Sequence, residues 1–188
     1  FDSSSFDRGR PAWVEALWWV AQRLFFRSWV PGSTHRAWLL RRFGARIGRG
    51  VVLKPGVRVK FPWRLKIADH VWIGEDVWID NLATVTIRDH CCISQGAYLC
   101  TGSHDWESAT FNLITEPIEI REFAWVGARA VVGPGVVVSE GAVLALGSVA
   151  TENLDSWQIY QGVPAQPVRS RRRLIDRSDG VDTGSSRR

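Results

Sequence analysis

The sequence predicts a mostly β protein, a parallel β-helix of about five coils behind an N-terminal helical leader. Three observations predict it. From Ile120 an aliphatic residue recurs at every sixth position, through Val126, Val132, Val138 and Leu144 to Ala150. Four residues after each of these stands a small or β-branched one: Ala124, Ala130, Val136, Ala142 and Ser148. The same double pattern runs earlier, as Ile67-Ile73-Ile79 with Val71, Val77 and Ala83, then Ile87-Ile93-Leu99 with Cys91 and Ala97. It begins at Ile47-Leu53-Val59 with Val51 and Val57. A helix repeats at about 3.6 residues and a strand at about 2, so neither generates this spacing. A hexad of short strand plus turn does, three hexads closing one coil. In threes the series gives coils at 47-53-59, 67-73-79, 87-93-99, 120-126-132 and 138-144-150, with a long excursion before the fourth. Gly48, Gly74, Gly127 and Gly133 directly follow their aliphatic residues, as tight corners require. At about 4.8 Å per coil the prism is roughly 20–25 Å long.

The organisation follows in three parts: a leader over 1–45, the β-helix over 46–151 with a protruding loop at 100–117, and a C-terminal segment over 152–188. Pro11 suits a first helical turn, and 12–29 reads as a helix stopped by Pro31-Gly32. Ser33 is placed to cap a second helix through Phe43, ended by Gly44. The first helix carries Trp13, Leu17, Trp18, Val20, Leu24, Phe25 and Trp29, leaving a narrow polar stripe at Glu15, Gln22, Arg23 and Arg27. Such a helix must be covered on most sides. Packing on the first coils or a neighbouring subunit is expected; a membrane interface is the alternative. Past about Ile175 the polar tail is expected to be disordered.

Composition narrows the function classes. With 45% hydrophobic and 23% charged residues, the 188-residue chain is neither a disordered chain nor a membrane bundle. The formal charge of +5 is nearly all arginine, since only Lys54, Lys60 and Lys66 are lysines, and it favours an anionic partner. Nucleic acid is not expected as that partner, because its footprint would rest on the arginine-rich tail alone. Cys91, Cys92 and Cys100 are odd in number and lack CxxC spacing, which argues against a disulfide framework and a zinc ribbon. The expected compartment is cytoplasmic, with peripheral attachment at the inner face of the membrane as its extension. No methionine occurs, so the protein is expected to continue before Phe1.

A smooth prism has no pocket, so the chemistry is expected where it is interrupted. The one large interruption carries Thr101-Gly102-Ser103-His104-Asp105-Trp106-Glu107, and His104 is its only histidine. His70 and His90 each stand three places after a repeat aliphatic and are expected to stack; no third ligand accompanies them, so no metal site is expected. His35 is expected at the surface. Trp72 and Trp78 point outward, for subunit contact or, alternatively, for stacking on a sugar ring. Cys100 reads as packing.

Thr84 to His104, the segment from Trp125-Val126-Gly127 through Pro134-Gly135-Val136 to Gly147-Ser148-Val149, and Gly162-Val163-Pro164-Ala165 resemble the left-handed hexapeptide-repeat acyltransferases. The Trp-rich leader, Phe43-Gly44-Ala45-Arg46-Ile47-Gly48, Phe61-Pro62-Trp63, Ser94-Gln95-Gly96-Ala97 and Ser103-His104-Asp105 resemble the colanic-acid biosynthesis acetyltransferase group, over roughly 6 to 173. The resemblance implies a homotrimer of left-handed β-helices that takes acetyl-CoA as cosubstrate between adjacent prisms. It implies His104 as the base. Ala128, Leu146, Gly147 and Ser148 fall along the pantetheine channel, Trp125 flanks it, and Thr151 and Arg169 lie near the nucleotide end. A lysine and an arginine usual in related sugar acetyltransferases are Glu152 and Gln166 here, so the phosphates are left to Arg169 and Arg171–Arg173. Asp80 and Asn81 sit near where members place acceptor-binding groups, although no family side chain falls on either. Asp105 and Trp106 are the loop's candidates for the acceptor.

A sugar hydroxyl is a poor nucleophile near neutral pH and must lose its proton as it attacks the thioester. A neutral imidazole suits that task, contributing about 10²–10⁴-fold. Asp105 or Glu107 is a candidate to orient it. The reading is an O-acetyltransferase acting on a saccharide of exopolysaccharide biosynthesis. Its alternatives are an N-acetyltransferase on an amino sugar and a noncatalytic trimeric scaffold.

Overall fold

The hexads fold as short parallel strands that stack into three faces of a prism. The first face runs Arg46–Ile47, Leu65–Ile67, Val85–Ile87, Ile118–Ile120 and Val137–Val138. The second runs Val52–Leu53, Trp72–Ile73, Cys92–Ile93, Trp125–Val126 and Val143–Leu144, and the third Arg58–Val59, Trp78–Asp80, Tyr98–Cys100, Val131–Val132 and Val149–Ala150. These are the five coils of the period-six series, in a computed structural model that describes residues 6–26 and 32–172. A partial sixth coil follows: Leu154 bridges Val138, and Gln158–Gly162 extends the second face before turning back on Ala165–Ser170. The tail, Arg173, Trp29 and the Pro31 stop lie outside the described residues.

The register places Ile47, Ile67, Ile87, Ile120 and Val138 in one interior row, with equivalent rows on the other two faces, all of it buried. Each buried aliphatic side chain contributes about 1.5–3 kcal/mol over its exposed state. Ala83 is an exception to the small-residue series, because it falls in a two-residue insertion and Val85 takes the interior place. The corner glycines also have a different reason from the one expected. A Cβ on Gly74 would lie 2.5 Å from the Gln95 amide nitrogen, and one on Gly127 2.6 Å from that of Leu146. They are needed because the next coil's backbone passes that close.

The leader closes the open end of the prism. A first coil exposes unpaired N–H and C=O groups along three edges, and two helices satisfy them: α1, Ala12–Phe25, and α2, Thr34–Arg42. On the third face, Trp18 Nε1 donates to the Val59 carbonyl at 2.8 Å and the Val59 N–H donates to Gln22 Oε1 at 2.6 Å. On the second, the Leu53 N–H donates to Ser33 Oγ at 2.9 Å, and Arg36 reaches the Leu53 carbonyl. On the first, the Arg41 guanidinium donates to the carbonyls of Ile47 and Gly48. Ser33 thus stands before α2 without capping it, because its hydroxyl is engaged by the strand edge. His35 is likewise not the surface residue expected. It is half-buried, and desolvation, then the charge of Arg36, holds its pKa below the ordinary value.

The helical face expected to need cover is covered on one side. Trp18 is 1% exposed between Phe26 and Phe43, with ring centroids at 5.6 and 5.1 Å. On the other side Trp13 is 69% exposed, beside Leu17 and Trp38, and Leu24 further along the helix is exposed as well.

Candidate active site

The loop leaves the third face after Cys100 and returns to the first at Ile118. Its stem is a hairpin, Gly102–His104 antiparallel to Leu113–Thr115, with His104 opposite Leu113. Its root is pinned by Thr101, which is fully buried: Oγ1 donates to the Asp80 carbonyl at 2.9 Å and accepts from the Ala83 N–H at 2.9 Å.

His104 Nδ1 lies 2.9 Å from the carbonyl oxygen of Phe111. A carbonyl oxygen can only accept, so this bond places the proton on Nδ1 and the lone pair on Nε2. Phe111 turns its carbonyl to the ring from a left-handed backbone, φ 48°. For a residue with a Cβ that conformation costs about 1–2 kcal/mol. Of the two expected orienting candidates, Asp105 and Glu107, the Asp105 carboxylate accepts from the Glu107 N–H at 3.0 Å. No sequence signal marks Phe111 for this role, since only its backbone acts.

His104 borders two recesses. One, about 400 Å³, is formed with Ser103, Asp105, Trp106, Glu116 and Pro134. The other, about 290 Å³, lies toward the leader and is formed with Phe6, Arg8, Lys60 and Leu113. Asp105 and Trp106 therefore share one recess with the imidazole, and Trp106 is exposed in it.

The remaining predicted positions fall elsewhere. Ala128 and the Leu146-Gly147-Ser148 turn stack at the corner between the second and third faces, with the Gly147 N–H donating to the Ala128 carbonyl at 2.8 Å. Trp125 is on the adjoining strand, half-exposed, its Nε1 donating to Ser94 Oγ. Leu146 and Gly147 are open to solvent, but Ser148 is not: it is buried and its hydroxyl accepts from the Gly162 N–H at 3.0 Å. Its side chain is a structural group. Thr151 follows the last third-face strand and Arg169 lies on the terminal hairpin, both exposed. Within one chain the corner of Ala128, Leu146 and Gly147 is a different one from that of the His104 loop, while Thr151 lies at the corner where the loop departs, two coils further on.

Asn81 is the clearest correction. Its side chain is completely buried, Oδ1 accepting from the Phe61 N–H at 2.9 Å and Nδ2 donating to the Phe61 carbonyl at 2.7 Å. It substitutes for a strand partner, and its burial closes it to a substrate. Asp80 is half-buried beside it and accepts from the Tyr98 hydroxyl at 3.0 Å. Burial first, and the Asp80 charge among further causes, raise the Tyr98 pKa, which keeps that phenol a donor. Stacking on a sugar is also closed to Trp78. Register sets it between Arg58 and Tyr98, with the guanidinium 4.5 Å and the phenol 4.6 Å from its ring centroid. His70 and His90 do stack, at 5.2 Å and 10°, and Phe123 extends the column. Burial pushes the Cys91 thiol up to about 12 and raises that of Cys92, so neither is an activated nucleophile.

No protein-family model matches the chain. Among individual proteins, it is 40% identical over 166 residues to WcaF of Escherichia coli K12, designated a colanic acid biosynthesis acetyltransferase, covering 87% of this chain and 91% of the relative. The Shigella flexneri protein of the same name matches equally. The hexapeptide-repeat acetyltransferase VCA0836 of Vibrio cholerae, solved with acetyl-CoA, superposes with a TM-score of 0.80 at 23% identity, covering 92% and 93% of the two chains. A galactoside acetyltransferase with coenzyme A superposes at 0.76 and 21% identity, over 85% of this chain and 81% of its own. The shared coils and the 40% identity over nine-tenths of WcaF place this chain in the hexapeptide-repeat acetyltransferase family, in the colanic acid biosynthesis group.

Proposed function

We propose that the protein transfers acetyl from acetyl-CoA to a saccharide hydroxyl in exopolysaccharide biosynthesis, with His104 as general base. The observation that carries this reading is the Nδ1–H bond to the Phe111 carbonyl, which leaves Nε2 as the proton acceptor beside two recesses. Nε2 takes the hydroxyl proton as the oxygen attacks the thioester carbonyl. The C–S bond then breaks, and the imidazolium returns the proton to the departing thiolate. The products are an acetyl ester and the free thiol, and the base ends in its starting state.

Acetyl-CoA as cosubstrate is supported by the family and by the exposed apolar corner of Ala128, Leu146 and Trp125, which suits a pantetheine arm. That corner and His104 are separated within one chain, so a complete site needs a second copy. We read the assembly as a homotrimer, with the outward Trp72 and Leu146 toward the neighbour. Incubation with acetyl-CoA and paired hydroxyl and amino sugars tests the chemistry. A product whose acetyl is released by hydroxylamine is expected; an acetyl amide would establish N-transfer instead. Sedimentation should give three times the 21.2 kDa chain mass, and a monomer that is fully active would refute the shared site.

Among the described residues no helix is long and apolar enough to cross a membrane. The outer side of the leader, between α1 and α2, does present Trp13, Leu17 and Trp38 together with Arg10, Arg41 and Arg42, an apolar strip edged by cations. We assign it to peripheral contact with anionic lipid. Salt-sensitive flotation with anionic vesicles is expected, and its persistence after Trp13→Ser and Leu17→Ser would refute the assignment.

A further inference from the structure

A groove runs between α1 and the third face, and it starts at His104. Its first part is the recess of about 290 Å³ that His104 shares with Arg8, Glu15 and Lys60. Those three residues also line the next part, about 580 Å³, which adds Trp19, Arg58 and Trp78. Trp19 and Arg58 in turn line a last part, about 250 Å³, that ends at Arg23 and Gly56. The groove follows α1, whose 14 residues span roughly 20 Å at about 1.5 Å each.

Its charge is one-sided. Arg8, Lys60, Arg58 and Arg23 line it against a single carboxylate, Glu15. Arg8 pairs with Glu15 at 2.6 Å, and Lys60 Nζ stands 4.0 Å from its other oxygen. Among the described residues no carboxylate pairs with Arg58 or Arg23. Aromatic rings orient both instead, Trp78 at 4.5 Å and Trp19 at 5.4 Å from the guanidinium carbons. A planar guanidinium held on a ring keeps its N–H edge for a bidentate partner such as a carboxylate or phosphate. A concave wall concentrates the field of such cations.

We infer that this groove binds an anionic saccharide, with the reacting hydroxyl at His104 and a carboxylate or phosphate further along, on Lys60, Arg58 and Arg23. The inference rests on His104 being the base in the sense that it fixes which end of the groove is reactive. It selects the acceptor class: an oligosaccharide carrying uronates, or a sugar joined to phosphate. Both present the same chemistry to the cations.

Calorimetry on the full chain tests the groove apart from turnover. The probes are a hyaluronan hexasaccharide for uronate, chitohexaose as its neutral counterpart, and glucose 1-phosphate for phosphate. At low salt at least one anionic probe should bind tenfold or more tighter than chitohexaose, and the gap should narrow as salt rises. Arg58→Gln with Lys60→Gln should erase most of that preference. Both side chains are solvent-facing, and an unchanged melting temperature checks the fold. A preference confined to hyaluronan names uronate, one confined to glucose 1-phosphate names phosphate. Equal affinity for all three probes, or a preference untouched by the double substitution, overturns the inference. His104→Ala separates this from the catalytic reading: it should keep the anionic preference while losing turnover. Loss of the preference with unaltered turnover would instead remove His104 from the mechanism and leave the groove misassigned.

Discussion

His104→Ala is expected to lower turnover by two or more orders of magnitude while leaving the melting temperature within about 1 °C. Removal of a general base forfeits about 10²–10⁴-fold. The side chain stands on a hairpin outside the coils, so no interior row loses packing. His104→Gln is the sharper comparison, because its amide N–H can still donate to the Phe111 carbonyl but the residue cannot accept and return a proton. It should be nearly as inactive as the alanine variant. Steady-state kinetics with saturating acetyl-CoA, beside a thermal melt, checks both halves. Turnover within a few-fold of the wild type in either variant would remove the imidazole from the proton transfer.

Trp18→Ala is expected to cost about 3–5 kcal/mol, the range for deleting a fully buried aromatic side chain. The substitution also strips the Val59 carbonyl of its donor at a covered edge, which adds on the order of 1 kcal/mol. For a chain of this size the fall in melting temperature is roughly 10–20 °C. Trp13→Ala, five residues earlier on the same helix, should change it by no more than a degree or two, since that side chain is largely in solvent. Differential scanning calorimetry of the two variants decides the matter. Similar melting temperatures would mean that the leader does not close the prism in solution.

The prism was legible because its signal is arithmetic. A coil must place an interior residue at each face, and Ile73, Ile93, Val126 and Leu144 do so at one face whatever surrounds them. The His70–His90 stack was legible for the same reason, as the two residues are one coil apart. What the pattern conceals is the use of polar side chains on backbone. Ser33 and Gln22 satisfy strand edges and Asn81 fills a ladder position, yet they read in sequence as a cap, a polar stripe and a ligand. Asp80 and Asn81 are adjacent and similar in size, and only their burial separates the accessible one from the structural one. The loop histidine stood out because it interrupts a repeat. Its orienting carbonyl did not, because a backbone group carries no residue identity. The groove was equally hidden, since Arg8, Lys60 and Arg58 meet through the docking of α1 and through no spacing in the chain.

That docking turns the coil count into a length gauge. α1 is anchored on the first coil at Val59, and the reactive loop departs from the third coil just after Leu99, which sits above Ile79 and Val59 in one row. Two coil steps of about 4.8 Å therefore set the offset between helix and histidine. In the groove we infer, where a saccharide's charge would sit relative to its reacting hydroxyl is thus quantised by architecture. Inserting or deleting one whole coil between leader and loop would shift that offset by a single step while leaving the end closure and the imidazole's own hydrogen bond intact. A family built this way can change the reach of its acceptor site in discrete increments, without altering a residue that touches the reacting atoms.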